Sequence, residues 1–130
     1  MQDQQLIPEH NIEIPEKPLE EMFKRQKEFQ ARFYDFSDMT KEEWTEYVML
    51  MLTCINVEQV EALNWLTNPS WKPWKSQIEP FNRKEFINEL VDIQHFLINV
   101  LLAVDCNHEE FTNAFFNKNY ENIKRQEKGY

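Results

Sequence analysis

Two pairs of acidic residues carry the first chemical signal in this sequence. Glu58 precedes Glu61, and Glu89 precedes Asp92, each by three positions. Residues three apart on a helix share a face, so each pair would present two carboxylates side by side. Both pairs lie among apolar residues, and the second interrupts Leu90, Val91 and Ile93. Carboxylates in such surroundings are costly unless a cation neutralises them. A hard divalent ion, Mg²⁺ first and Mn²⁺ second, takes oxygen ligands and is commonly bound together with substrate phosphates. The four acids therefore point to phosphate chemistry. A solvated acidic face is the competing reading, and with 23 acids in 130 residues one pair alone would not displace it.

Donors for such a substrate occur in three places. Lys118, Asn119, Asn122, Arg125 and Gln126 follow one another at near-helical spacing towards the C-terminal end. Arg and Lys there would suit phosphate oxygens, although an ordinary polar helix reads the same way. Lys72 and Lys75 sit in the run Trp71-Lys72-Pro73-Trp74-Lys75, where two tryptophans would anchor a loop and fix both lysines. Gln26 and Gln30 lie one turn apart near the start; their amides could read a base edge, with Phe29 or Trp65 to stack on it. His95 and Asn99 follow the second acid pair by one and two turns. His95 reads better as a hydrogen-bonded core histidine than as a ligand, because Mg²⁺ prefers oxygen.

The elements that must position these groups are helices. The segment 1–17 reads as an extended arm with Pro8 and Pro15, and Pro18 suits a helix start. The first helix is expected to run to about Phe36, with Met22, Phe23, Phe29 and Phe33 as its apolar positions. Thr40 and Glu43 form a capping box that opens a second helix reaching Trp65 or Thr67. Pro69, Pro73 and Pro80 make 69–81 an ordered loop. Asn82 with Glu85 opens a third helix to about Val104, and Asn107 with Glu110 a fourth to about Lys128. The expected fold is all-α, a four-helix bundle-like core over residues 18–130. The third helix is apolar nearly all round, which implies burial on most sides. In so short a chain that predicts a homodimer sharing one core.

Composition narrows the function classes. Net charge is −9, against binding a nucleic acid over a broad face. A single glycine, Gly129, excludes glycine-rich phosphate loops. The apolar run Ile93 to Val104 is too short to span a bilayer, and the start of the chain has no apolar signal. Cys54 and Cys106 read as buried free thiols. A soluble cytoplasmic protein is expected.

Taken together, these residues resemble a known family. Glu89-Leu90-Val91-Asp92-Ile93-Gln94-His95-Phe96, the downstream string of Lys118, Asn119, Asn122, Arg125, Gln126, Gly129 and Tyr130, the pair Glu58 and Glu61, the Trp71–Lys75 loop and Gln26-x-x-Phe29-Gln30 are similar to the dimeric dUTPase and phage dCTP/dUTP pyrophosphatase branch of the all-α, MazG-like NTP pyrophosphatases. The likeness covers roughly residues 19–130. It implies that Glu58, Glu61, Glu89 and Asp92 hold Mg²⁺, with Glu61 also activating the attacking water. It further implies that Lys72, Lys75, Lys118 and Arg125 engage phosphates, that Asn119 and Asn122 bind sugar or phosphates, and that Gln26 and Gln30 face a pyrimidine. Gln30 stands where dimeric dUTPases carry Asn, which brings the chain nearer the phage dCTPases. The expected activity is Mg²⁺-dependent hydrolysis of dUTP or dCTP to the monophosphate and pyrophosphate. Two alternatives are a purine-directed or house-cleaning pyrophosphatase of the same superfamily and a non-catalytic helical interaction module.

Overall fold

The computed structural model describes residues 5–66, 74 and 80–129. Within them the chain forms α1 (Pro18–Gln30), α2 (Lys41–Asn64), α3 (Arg83–Ala103) and α4 (His108–Glu127), with a short 3₁₀ turn at Phe36–Asp38 and no strand. The all-α reading of the sequence is thus correct.

Three of the helix starts follow from local side-chain chemistry. Thr40 and Glu43 make both halves of a capping box, the Thr40 hydroxyl accepting from Glu43 N at 3.1 Å and Glu43 Oε1 from Thr40 N at 3.3 Å. Asn82 and Asn107 each accept from the backbone N–H three residues on, at 3.2 and 2.9 Å. Each cap satisfies a donor that the first helical turn leaves without a partner. The first helix has Pro18 at its start and no side-chain cap. It ends at Gln30, six residues before the expected Phe36. Asp35 draws Ser37 into a local turn, its Oδ1 accepting from both the Ser37 amide and hydroxyl. Such short-range bonds compete with helix propagation.

Helices α2 and α3 form the main packed pair, α1 lies across α3, and α4 touches α1. The buried apolar residues are Phe23, Tyr47, Met51, Ala62 and Ile98. Of the apolar positions expected on α1, only Phe23 is buried; Met22, Phe29 and Phe33 are exposed. Phe23 packs edge-on against His108 and at a tilt against Phe111, both ring centroids 6.3 Å away, which docks the first turn of α4. From Asn113 to Gly129 every residue of α4 and its end is exposed, Phe115, Phe116 and Tyr120 included. Helix α3 is also far less covered than its composition predicts: Ile98 and Asn99 are its only buried residues. Taken whole, α3 is long and apolar enough by length and composition to cross a membrane, beyond the shorter run expected above. Only 11% of its most apolar window is buried within this chain.

The arm at 5–17 carries no helix, and Glu9 reaches Lys84 at the start of α3 with an ion pair of 2.9 Å.

Candidate active site

Helices α2 and α3 bring three of the four acids together. One oxygen each from Glu58, Glu61 and Glu89 lies within 4.8 Å of the others. The spacing of three puts Glu58 and Glu61 on one face of α2, and the packing of α3 against that face supplies Glu89. Glu58 and Glu89 are half-buried, and Glu61 is exposed to solvent. Asp92 stands one turn beyond Glu89, paired with His95 (Oδ1 to Nδ1, 3.8 Å), and close enough for its charge to act on Glu58.

Close carboxylates repel, and the site responds with a shared proton. The Glu58 carboxyl is pushed up to about 8, first by its hydrogen bond with Glu89, then by burial and by the neighbouring Glu61 and Asp92. Glu89 is held below the ordinary carboxylate range by the same hydrogen bond, and further by Trp65, whose Nε1 donates to Glu89 Oε1 at 3.3 Å. The proton belongs to the pair, carried on Glu58. The second oxygens, Glu58 Oε2 and Glu89 Oε2, are buried with no hydrogen-bond partner. An all-oxygen set with two buried, unpartnered carboxyl oxygens has the donor chemistry of a hard divalent cation. The residues fit that group.

The remaining sequence-derived candidates are distributed. Trp65, expected to stack on a base, donates its indole N–H to Glu89, and its carbonyl accepts from Asn82 N at 3.0 Å, tying the two ends of the intervening loop. Gln30 is buried and accepts from the Tyr47 hydroxyl at 2.8 Å. Gln26 is half-buried on the same helix. Phe29 is exposed, edge-on to Phe33 with ring centroids 5.3 Å apart. Lys118 pairs with Glu121 at 3.6 Å on the exposed part of α4, which also carries Asn119, Asn122 and Arg125. No hydrogen bond or ion pair among the described residues joins Lys118, Asn119 or Asn122 to the acids of the same chain. Lys72 and Lys75 lie outside the described residues.

Two residues that the sequence reading left without a role, Tyr47 and Asn99, line a cavity of about 400 Å³ together with Gln30. Asn99 carries a visible signal, one polar residue between Ile98 and Val100 in an apolar stretch. Tyr47 has none beyond its type.

The dUTPase family model matches residues 18–113, and the chain belongs to that family. Its curated relatives include the dCTP pyrophosphatases of Enterobacteria phages T4 and LZ5, each 34% identical over 71 residues. That match covers 46% of this chain and 42% and 41% of the two relatives, so the chain spans about two-fifths of the length of the curated relatives it matches. No solved structure matches it. The enzyme family suggests a divalent metal cofactor.

Proposed function

We propose that the chain is a Mg²⁺-dependent pyrophosphatase of pyrimidine deoxynucleoside triphosphates, hydrolysing dCTP, dUTP or both to the monophosphate and pyrophosphate. One observation carries the reading: Glu58, Glu61 and Glu89 converge from two helices, with buried oxygens that lack any donor. Membership of the dUTPase family and the phage dCTP pyrophosphatase relatives support the substrate class.

Glu58, Glu61, Glu89 and Asp92 would hold Mg²⁺. When bound, the ion neutralises triphosphate charge and the charge that develops on the leaving pyrophosphate. The protein's own groups do the rest. Glu61, the solvent-exposed member of the cluster, takes the proton from the attacking water. Trp65 keeps the Glu89 carboxylate ionised and oriented through its indole N–H. Lys118 and Arg125 stabilise phosphate charge, Asn119 and Asn122 bind sugar or phosphate, and Lys72 and Lys75 add charge from the loop. Water and the α–β phosphoanhydride give two products with no other reactant.

The working unit is a homodimer, with α4 of one copy serving the acids of the other. Two features support this: the sparse cover on α3 and the exposed aromatic face of α4. A second copy suits α3 better than lipid, because Glu89, Asp92 and His95 interrupt its surface. Half-buried free thiols at Cys54 and Cys106 suit a reducing cytoplasm.

Pyrophosphate release measured across dNTPs and NTPs, with and without Mg²⁺, tests the activity. Turnover of dCTP or dUTP that vanishes on chelation is expected; inactivity on the whole panel with metal present would overturn it. Mixing inactive Glu61→Gln and weakened Lys118→Ala chains tests the dimer. Activity above that of either variant alone is expected, and a monomer in light scattering with no such recovery would refute it.

A further inference from the structure

The cavity beside Gln30 lies at the opposite end of the α2–α3 pair from the carboxylates. Asn99 follows Glu89 by ten residues, about 15 Å along the helix axis, a span comparable with an extended nucleoside triphosphate. Beside the cavity lies a second orphan. Asn99 is 3% exposed, its Nδ2 donates to Met51 Sδ at 3.4 Å, and its Oδ1 is buried with no donor. Leaving such an oxygen unpaired costs stability, so its retention asks for a ligand donor. Across the cavity the Tyr47 hydroxyl occupies Gln30 Oε1, which leaves the Gln30 amide nitrogen as the free donor. Burial pushes Tyr47 up to about 12, so that hydroxyl keeps its proton and its sense. Phe36 and Trp44 supply aromatic walls, and the Trp44 ring is fixed by its Nε1 bond to Ala103 O at 2.8 Å. One acceptor and one donor between aromatic faces match the edge of a pyrimidine, which offers an N–H beside an acceptor (N3 in cytosine, a carbonyl oxygen in uracil).

Resting on the activity proposed above, we propose that Asn99 is the base-reading residue. Its Oδ1 accepts an N–H of the substrate base, at N4 of cytosine or N3 of uracil. Tyr47 is a positioning residue that fixes the orientation of the Gln30 amide. The cavity receives the base while the acids receive the phosphates.

The test uses two analogues that lack the relevant N–H, N4,N4-dimethyl-dCTP and N3-methyl-dUTP, each beside its parent. The unmodified protein should prefer a parent it turns over by about 100-fold or more in kcat/KM, since the methylated base leaves Asn99 unpaired. Asn99→Leu should cut turnover of the parent and reduce that preference to below about threefold. Tyr47→Phe should act in the same direction more weakly. Asn99→Leu also removes a buried unpaired oxygen, so its Tm should hold or rise. A preference that persists in Asn99→Leu, or a lower Tm with the preference intact, would assign Asn99 to core packing and overturn the proposal. Calorimetric binding of deoxycytidine and deoxyuridine separates this idea from the catalytic reading. If no triphosphate is hydrolysed, nucleoside binding that Asn99→Leu abolishes still supports the cavity as a base site. Absent binding, or equal binding to both proteins, rejects it.

Discussion

The two ends of the α2–α3 pair bury the same kind of defect in different chemical form. At one end, Glu58 and Glu89 each leave a carboxyl oxygen of an ionisable group without a donor; at the other, Asn99 leaves a neutral amide oxygen. A buried anion asks for a cation or a proton, and the carboxylate end takes the proton when no metal is bound. A buried amide oxygen asks only for an N–H, and cannot relieve itself by titrating. The helices thus hold two unsatisfied sites of unlike polarity at the separation of phosphates and base. The contrast makes distinct predictions for each end.

The largest expected effect is at the carboxylate end. Glu61→Gln keeps the shape but removes the proton acceptor, and kcat should fall by about 10²- to 10⁴-fold with base preference unchanged. Steady-state kinetics on dCTP and dUTP measure both. Full activity with Mg²⁺ would refute the base assignment, and a changed base preference would show that the two ends are not independent.

The next effect is a pH dependence that only the carboxylate end should show. In metal-free protein, Glu58 near 8 binds its proton more tightly than an unfolded glutamate with the ordinary value of 4.5. The folded state then carries more protons than the unfolded chain across that window, so stability is greatest below about 4.5 and falls as pH rises towards 8. The lowered carboxyl of Glu89 works in the opposite sense, its contribution fading as pH drops through its folded value. Mg²⁺ replaces the shared proton, so its stabilising effect should grow with pH. Thermal melts in chelator and in Mg²⁺ between pH 5 and 8 follow both trends, and Glu58→Gln should flatten the chelator series. A chelator series already flat in the unmodified protein would remove the shared proton from the account.

A smaller effect should come from Trp65→Phe. Its indole gives Glu89 one hydrogen bond of 3.3 Å. Loss of an outer partner that orients a metal ligand weakens metal binding by about tenfold. Calorimetric titration with Mg²⁺ or Mn²⁺ reads that change. A loss confined to KM for the nucleotide, with metal affinity intact, would instead restore Trp65 to the base-stacking role expected from sequence.

What the sequence reveals here follows contact range. The starts of α2, α3 and α4 rest on bonds between residues three apart, at Thr40, Asn82 and Asn107, and spacing alone exposes them. The acids are legible in part: helical spacing puts Glu58 and Glu61 on one face, but that Glu89 joins them in the cluster depends on how α3 packs against α2. The end of α1 is not legible, since helix propensity continues through Phe33 while the Asp35 turn decides otherwise. Nor are the roles of Trp65, Gln30 and Asn99. Their partners lie 24, 17 and 48 residues away, and no local pattern encodes which of several polar groups will meet. The exposed faces of α3 and α4 show the same limit at the next level: composition announces a buried helix, and the described residues leave most of it uncovered.

The smallest expected effect tests whether the amide end can be disturbed through its supporting helix alone. Thr40 caps α2 four residues before Trp44 and seven before Tyr47, whereas the acids of α2 lie near its far end. Thr40→Ala removes the hydroxyl that accepts from Glu43 N and should cost about 1 kcal/mol of stability. Fraying is confined to the first turns, so it should loosen the Trp44 wall and the Tyr47–Gln30 bond without moving Glu58 or Glu61. Mg²⁺ affinity should stay at its original value, while discrimination between dCTP and N4,N4-dimethyl-dCTP, or between dUTP and N3-methyl-dUTP, falls slightly. Equal losses at both ends would mean that α2 transmits the disturbance along its whole length, and that the carboxylates and the cavity form one cooperative unit.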